Sequence, residues 1–248
     1  MKDTIALIDG DSLIYYEMGK ATLEEALTSL DGRLQQMFEM THATKYAGFL
    51  TQGKCFRYAA AKTKPYKGNR KYGDKPIIFP AIKEYLRQEW GFTSIPELEA
   101  DDLVSIYHDP LKTVICSPDK DVLYQNKGIH YNYGKAETII VDETEAMRFL
   151  WKQMLMGDST DGIGGLPKVG PKTSDTWLEP LLPHEMPEFV LNKYIITFGY
   201  AEGISKFAET FKLVYMLKSK EDVLRETGIE LEDLVINDVK PLNENEWL

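Results

Sequence analysis

Thr4-Ile5-Ala6-Leu7-Ile8 is a short apolar run that ends at Asp9-Gly10-Asp11, and Val114-Ile115-Cys116 is a second that ends at Ser117-Pro118-Asp119. Short, uninterrupted apolar runs closed by turn residues read as strands buried on both faces, the pattern of a parallel sheet. Acidic residues thus fall at strand carboxyl ends, where open α/β sheets place their ligands.

Working outward, helical patterns fill the space between these strands, over residues 23–40, 77–90 with Pro80 near the start, and 101–107 entered from Pro96. The alternation predicts an α/β domain with a mostly parallel central sheet flanked by helices. Residues 129–133 and 138–141 read as further strands, antiparallel at the sheet edge. Beyond residue 142 strand signals almost vanish, and 143–156, 172–178, 188–198 and 204–217 read as helices. The expected organisation is an α/β part over 1–141, including a basic region at 54–76, and a helical part over 142–248 with a glycine-rich turn at 157–173. The last residues, 237–248, read as a loose polar tail.

None of the apolar runs in the 248 residues approaches the roughly 20 needed to span a bilayer, and the N-terminal stretch is too short and acidic for a signal peptide. A cytoplasmic protein with no membrane partner is expected. Cys55 and Cys116 are the only cysteines, which suggests neither a disulfide framework nor a zinc site. The formal net charge of -10 argues at first against a polyanionic partner. The charge is segregated, however: Lys54, Arg57, Lys62, Lys64, Lys67, Arg70, Lys71 and Lys75 crowd one stretch against the single acid Asp74.

Acids pair at Asp9 and Asp11, at Glu99 with Asp101 and Asp102, at Asp119 with Asp121, and at Asp158 with Asp161. Each pair sits at an element boundary, so helix capping by Asp11, Asp101 or Asp158 is a competing reading for any one of them. Four such pairs at one sheet edge would repel one another unless cations neutralised them, and hard oxygen donors suit Mg²⁺, with Mn²⁺ fitting the same ligands. Two such ions about 4 Å apart serve phosphodiester hydrolysis without a nucleophilic side chain. No convincing Ser-His or Cys-His arrangement competes for that role.

Residues 156–173 run Met-Gly-Asp-Ser-Thr-Asp-Gly-Ile-Gly-Gly-Leu-Pro-Lys-Val-Gly-Pro-Lys-Thr. Gly170 before Pro171 opens a helix whose exposed amides, with Lys168 and Lys172, suit a DNA phosphate held without reading sequence. In the basic stretch, Phe56, Tyr58, Tyr66 and Tyr72 interleave with the cations, a composition suited to stacking on unpaired bases while Lys54 and Arg57 hold phosphates.

Taken together, Leu7-Ile8-Asp9-Gly10-Asp11, Tyr66-Lys67-Gly68-Asn69-Arg70, Glu99-Ala100-Asp101-Asp102, Ser117-Pro118-Asp119-Lys120-Asp121 and Gly157-Asp158-Ser159-Thr160-Asp161 leading into Gly165-Leu166-Pro167-Lys168-Val169-Gly170 resemble, in order, the motifs of the flap-endonuclease or 5′-nuclease superfamily. The likeness covers roughly residues 5–177 and is strongest to phage 5′-3′ exonucleases and the 5′-nuclease domains of bacterial DNA polymerases. It implies a PIN-like 5′-nuclease fold and a helix-turn-helix variant that grips duplex DNA, with a K⁺ there as a further implication. It also implies that Asp9, Glu99 and Asp101 hold one metal with Asp102 beside them. Asp119, Asp121, Asp158 and Asp161 would hold or flank a second, with Lys67 and Arg70 on the scissile phosphate and a helical arch formed near them. The implied partners are DNA with a 5′ flap, nick or end, and RNA-DNA hybrids, handled by a monomer in phage or bacterial host cytoplasm.

One departure stands out. The family usually carries another metal-site Asp near residues 49–53, whereas here no Asp or Glu occurs between Glu39 and Asp74. Altered binding at the first metal site is therefore expected. Two other readings compete. A haloacid-dehalogenase-type phosphatase would use Asp9 as nucleophile and Asp11 as acid but leave Glu99 to Asp102 and residues 167–173 without a purpose. A non-catalytic module would grip branched DNA through the same surfaces.

Overall fold

The computed structural model describes residues 4–69 and 76–240. In chain order its elements are β1 (Thr4–Asp9), α1 (Gly10–Glu17), α2 (Leu23–Thr41), β2 (Ala43–Phe49), β3 (Gln52–Cys55), α3 (Arg57–Ala60), α4 (Ile78–Gln88), β4 (Pro96–Glu97), α5 (Ala100–Ile106), β5 (Thr113–Cys116) and α6 (Lys120–Tyr124). They continue with β6 (Gly128–Asn132), β7 (Glu137–Val141), α7 (Glu143–Met156), β8 (Gly157–Asp158), β9 (Ile163–Gly164), α8 (Pro171–Leu178), α9 (Met186–Phe198), α10 (Tyr200–Val214), α11 (Lys220–Thr227) and β10 (Asn237–Asp238). Two compact units result, one comprising Met1–Gly53, Asp74–Val141 and Leu217–Leu248, the other Lys54–Gly73 and Asp142–Met216. Residues 54–73 thus group with the helical segment, and the chain's last stretch groups with the α/β unit.

The α/β unit is built on a sheet of order β10-β2-β1-β5-β6-β7. β1 pairs in parallel with β2 and with β5, and β5 pairs in parallel with β6. β10 and β7 close the two edges antiparallel. Since the chain goes from β1 first to β2 on one side and later to β5 on the other, the carboxyl ends of β1 and β5 flank a topological switch point. Strand β2 and helix α1 were not anticipated. Thr44, Lys45 and Gly48 break the apolar run of β2, yet its register against β1 buries Tyr46, Ala47 and Phe49. A Cβ on Gly48 would meet the Phe92 ring at 2.2 Å, so only glycine admits that packing.

Helix α2 starts where Thr22 Oγ1 accepts from Glu25 N–H at 3.1 Å. Its Ala26, Leu30, Leu34 and Met37, at helical spacing, pack in one cluster with Phe79, Ile82 and Leu86 of α4. Each buried Leu there contributes about 1.5–3 kcal/mol relative to exposure. Helix α11 was also unanticipated. Ser219 caps its start, Gly228 ends it in the left-handed region, and it is polar enough to give little apolar signal. Within the expected loose tail, Asn237 and Asp238 pair with Tyr46 and Lys45, and residues 241–248 lie outside the described residues.

In the helical unit, Asp142 and Glu145 form a reciprocal capping box that starts α7. Leu150, Met154, Leu178, Val190, Tyr194 and Leu213 form its core. α7 gives way to the β8–β9 hairpin at Gly157, whose φ of 73° and whose Cβ position 2.3 Å from the Ile163 carbonyl oxygen exclude any other residue.

Candidate metal and nucleic-acid site

Asp9 ends β1 and is fully buried. Its Oδ1 accepts from the N–H groups of Asp11 and Ser12 at 3.1 and 3.3 Å, which makes it the cap of α1. Its Oδ2 accepts from Ser117 Oγ at 3.0 Å, and its carbonyl from Tyr133 Oη at 2.9 Å. Burial, reinforced by the charges of Asp11 and Asp119, pushes the Asp9 carboxyl up to about 6. The same environment drives the Tyr133 phenol well above its usual range, by burial first and then by the Asp9 carboxylate.

Ser117 joins the two strand ends, since its Oγ also accepts from Asp119 N–H at 3.1 Å. Asp119 in turn caps α6, accepting from Asp121 N–H at 2.7 Å, and Asp121 pairs with the Lys120 ammonium at 2.6 Å. Asp11 Oδ1 accepts from Thr51 N–H at 3.1 Å, while Thr51 Oγ1 accepts from Ala100 N–H at 2.9 Å. The position where the family places its extra acid is therefore occupied by buried Leu50 and by Thr51, whose carbonyl accepts from the Lys83 ammonium. Thr51, Ser117 and Tyr133 were not assigned from sequence. Of these, only Ser117, directly after β5, carried a signal.

Glu99 stands at the start of α5, and Asp102 accepts from its N–H at 3.5 Å. Asp101 is half-buried. Asp102 is fully buried and also accepts from Leu217 N–H at 3.3 Å, so its carboxylate holds backbone. The cap positions of α1, α5 and α6 are Asp9, Glu99 and Asp119, which corrects the capping roles considered for Asp11 and Asp101. Asp158, the third acid so considered, lies in β8.

In the helical unit, the β8–β9 hairpin carries Asp158 and Asp161. Asp158 Oδ1 accepts from Thr160 N–H at 2.7 Å. Asp161 accepts at its carbonyl from Lys67 N–H at 2.8 Å and at Oδ2 from Tyr66 Oη at 3.2 Å. Lys67 Nζ lies 3.9 Å from Asp161 Oδ2 and 4.9 Å from the Tyr66 ring centre. Lys54, Lys168 and Lys172 are exposed, and Gly170 opens α8 with Pro171 in its first turn.

Two basic-stretch expectations change. Arg57 is only 2% exposed, with Nε on the Leu213 carbonyl at 3.1 Å and a terminal amine on that of Tyr215 at 2.8 Å. Those carbonyls sit at the end of α10, so the guanidinium is a helix C-cap and not a phosphate contact. Tyr66 is 5% exposed and packs edge-on against Tyr58 at 5.3 Å, so its ring is core and not a stacking platform. Arg70, Lys71, Tyr72 and Lys75 lie outside the described residues.

Among the described residues, no three acidic, His or Cys side chains gather closely enough, as placed, to hold a metal ion. The chemistry of the donors nevertheless fits a hard divalent cation: they are oxygen ligands, and the Asp9 carboxyl is raised by burial first and then by neighbours of its own sign.

No family model matches the sequence. The chain is 26% identical over 199 residues to the flap endonuclease Xni of Shewanella woodyi, covering 71% of this chain and 77% of that protein. It is 29% identical over 187 residues to a 5′-3′ exonuclease of Aquifex aeolicus, covering 66% of this chain and 59% of that protein, under two thirds of its length. The phage T5 D15 protein crystallised with metal ions superposes with a TM-score of 0.67 at 17% identity, over 91% of this chain and 97% of that one. The catalytic core of Rad2 in complex with a DNA substrate gives 0.51 at 13% identity, over 93% and 79%. At those identities the solved structures establish the fold, and the sequence is similar to proteins named flap endonuclease and 5′-3′ exonuclease.

Proposed function

We propose that the chain is a divalent-metal-dependent 5′ nuclease that hydrolyses phosphodiester bonds at 5′ ends and flaps of DNA, and accepts RNA primers paired to DNA. The observation that carries this reading is that one Ser117 hydroxyl donates to the Asp9 carboxylate and accepts from the Asp119 backbone N–H, at the carboxyl ends of β1 and β5. Asp9, Asp11, Glu99, Asp101, Asp119 and Asp121 in the α/β unit, and Asp158 and Asp161 in the helical unit, are the oxygen donors offered to Mg²⁺, with Mn²⁺ an alternative. When bound, such ions supply an activated water and neutralise charge on the phosphate. Asp102, spent on two backbone amides, orients α5. Lys67 brings positive charge to the scissile phosphate, with Arg70 its proposed companion. Lys54, Lys168, Lys172 and the Gly170 end of α8 hold duplex phosphates, and a K⁺ at that turn would share the task. The reading is of a monomer.

The deciding assay uses 5′-labelled flap, nicked-duplex and RNA-primed substrates with Mg²⁺, with EDTA, and with Asp158→Asn. Metal-dependent cleavage lost in the variant is expected. Binding to branched duplexes without cleavage would replace the nuclease by a non-catalytic DNA-binding module.

A further inference from the structure

Helix α5 carries Glu99, Asp101 and Asp102 at its beginning, and α6 carries Asp119 and Asp121 at its own. Both are short, at seven and five residues. Their far ends converge on one lysine amine. Lys218 Nζ donates to Ser105 Oγ of α5 at 3.1 Å, and to the Gln125 carbonyl and Asn126 Oδ1, just past α6, at 2.8 Å each. Ser105, Gln125 and Asn126 are 2, 5 and 4% exposed. Asn126 is itself fixed, accepting from Ser105 Oγ at 2.9 Å and donating to the Val122 carbonyl of α6 at 2.7 Å.

Burial pulls the Lys218 amine down to about 7; protonated, it has three donors, and here each has an acceptor, two from the α6 side and one from α5. The preceding residue reinforces the arrangement, since Leu217 N–H holds Asp102. The segment is itself anchored, because Lys218 N–H donates to Asp222 of α11 at 2.9 Å. Without the Lys218 bridge, the Ser105–Asn126 hydrogen bond is left to span the two helix ends in this polar network. Any slide of α5 against α6 would change the distance between the acids at their beginnings.

We propose that Lys218 is a positioning residue for the metal-binding carboxylates: by clamping the ends of α5 and α6 it fixes the separation of Glu99 and Asp101 from Asp119 and Asp121. The inference rests on the nuclease reading and names a residue that touches neither metal nor DNA. It gives the segment after α10 a task in the reaction.

The test compares wild type with Lys218→Met, which keeps length without donors, with Lys218→Arg, whose planar fork cannot meet the same three acceptors, and with Ser105→Ala, which releases only α5. Mn²⁺ binding to the DNA-free protein, read by electron paramagnetic resonance of the free ion, is measured beside single-turnover cleavage against Mg²⁺ concentration and DNA affinity in EDTA. Lys218→Met is expected to weaken Mn²⁺ binding roughly 10- to 100-fold, as loss of a supporting partner does at metal sites. Ser105→Ala, which removes both the Lys218 and the Asn126 links to α5, should weaken it at least as much, Lys218→Arg should not restore binding, and DNA affinity should stay unchanged. A wild type that cleaves, with Lys218→Met and Ser105→Ala binding Mn²⁺ equally well, overturns the positioning role and leaves the nuclease standing. If Lys218→Met does not fold, Ser105→Ala alone decides in the same way. A wild type that neither binds Mn²⁺ nor cleaves overturns the nuclease reading, and this inference with it.

Discussion

Lys67 and Asp161 hold each other twice, through the Lys67 N–H on the Asp161 carbonyl at 2.8 Å and through Nζ at 3.9 Å from the carboxylate. Lys67 adopts a φ of 55° to do so, a left-handed conformation that costs on the order of 1 kcal/mol or more and that the pairing helps maintain. The lysine proposed for the phosphate and an acid proposed for the metal are thus fixed by one local contact. Lys67→Ala should slow single-turnover cleavage by about 10²-fold or more, while changing DNA affinity little, since a cation on the scissile phosphate acts chiefly as charge develops. Rapid-quench kinetics beside fluorescence anisotropy checks this, and equal losses in both would contradict the role.

Arg57 gives the opposite expectation. Replacing it by Met strips the Leu213 and Tyr215 carbonyls of their donors, which should cost about 1–3 kcal/mol of stability. Denaturant titration should show that loss, with DNA affinity unaltered. A drop in affinity without a drop in stability would return Arg57 to the nucleic-acid surface.

The Asp9 carboxyl has a direct thermodynamic consequence. Its folded value, about 6, lies above the 3.8 of the unfolded chain, so the folded state binds more protons between those values and stability falls as pH rises through that window. Above pH 6 the buried charge costs about 3 kcal/mol in the metal-free protein. Asp9→Asn should therefore melt higher than wild type in EDTA at pH 7, while gaining less from added Mg²⁺. Differential scanning calorimetry at both conditions is decisive: a variant less stable in EDTA, or stabilised by Mg²⁺ as strongly as wild type, would count against the assignment.

His130 sets a second pH window of opposite slope. It is fully buried, its Nε2 meets the Asn126 carbonyl at 2.7 Å, and burial pulls it down to about 4. The unfolded chain takes up that proton near 6.5, so stability should fall as pH drops from about 6.5 to about 4, by up to about 3 kcal/mol. Urea titrations of wild type and His130→Gln at pH 7 and 5 should show a smaller acid loss in the variant. Parallel losses would place the acid sensitivity elsewhere.

The sequence carried the strands that end in Asp9 and precede Asp119 because both are unbroken apolar runs, and it carried α2 and α7 because cap and periodicity agree. It hid β2, where Thr44, Lys45 and Gly48 interrupt the run and the strand exists through its pairing with β1. It hid α11 for lack of an apolar stripe. In the site, the acids were legible by type and position at element ends. The hydroxyls of Thr51, Ser117 and Tyr133 were not, because the distant partners that define their roles lie between 49 and 124 residues away in the chain and short-range pattern carries no trace of such contacts. Arg57 and Tyr66 were misread for the reverse reason: composition reports that cations and rings are interleaved, and only packing reports which way they face.

The two-residue strand β10 has a consequence for the protein's behaviour at high concentration. β2 would otherwise present a row of unpaired amides and carbonyls along the side of the sheet, a template onto which another copy could add. Asn237 and Asp238 occupy part of that row, Val239 N–H extends the cover to the Thr44 carbonyl at 3.0 Å, and Lys240 fastens the segment to the Glu89 carbonyl at 2.8 Å. The pairing is too short to add much stability and polar enough to attract no partner, so it acts as a guard against strand-to-strand aggregation.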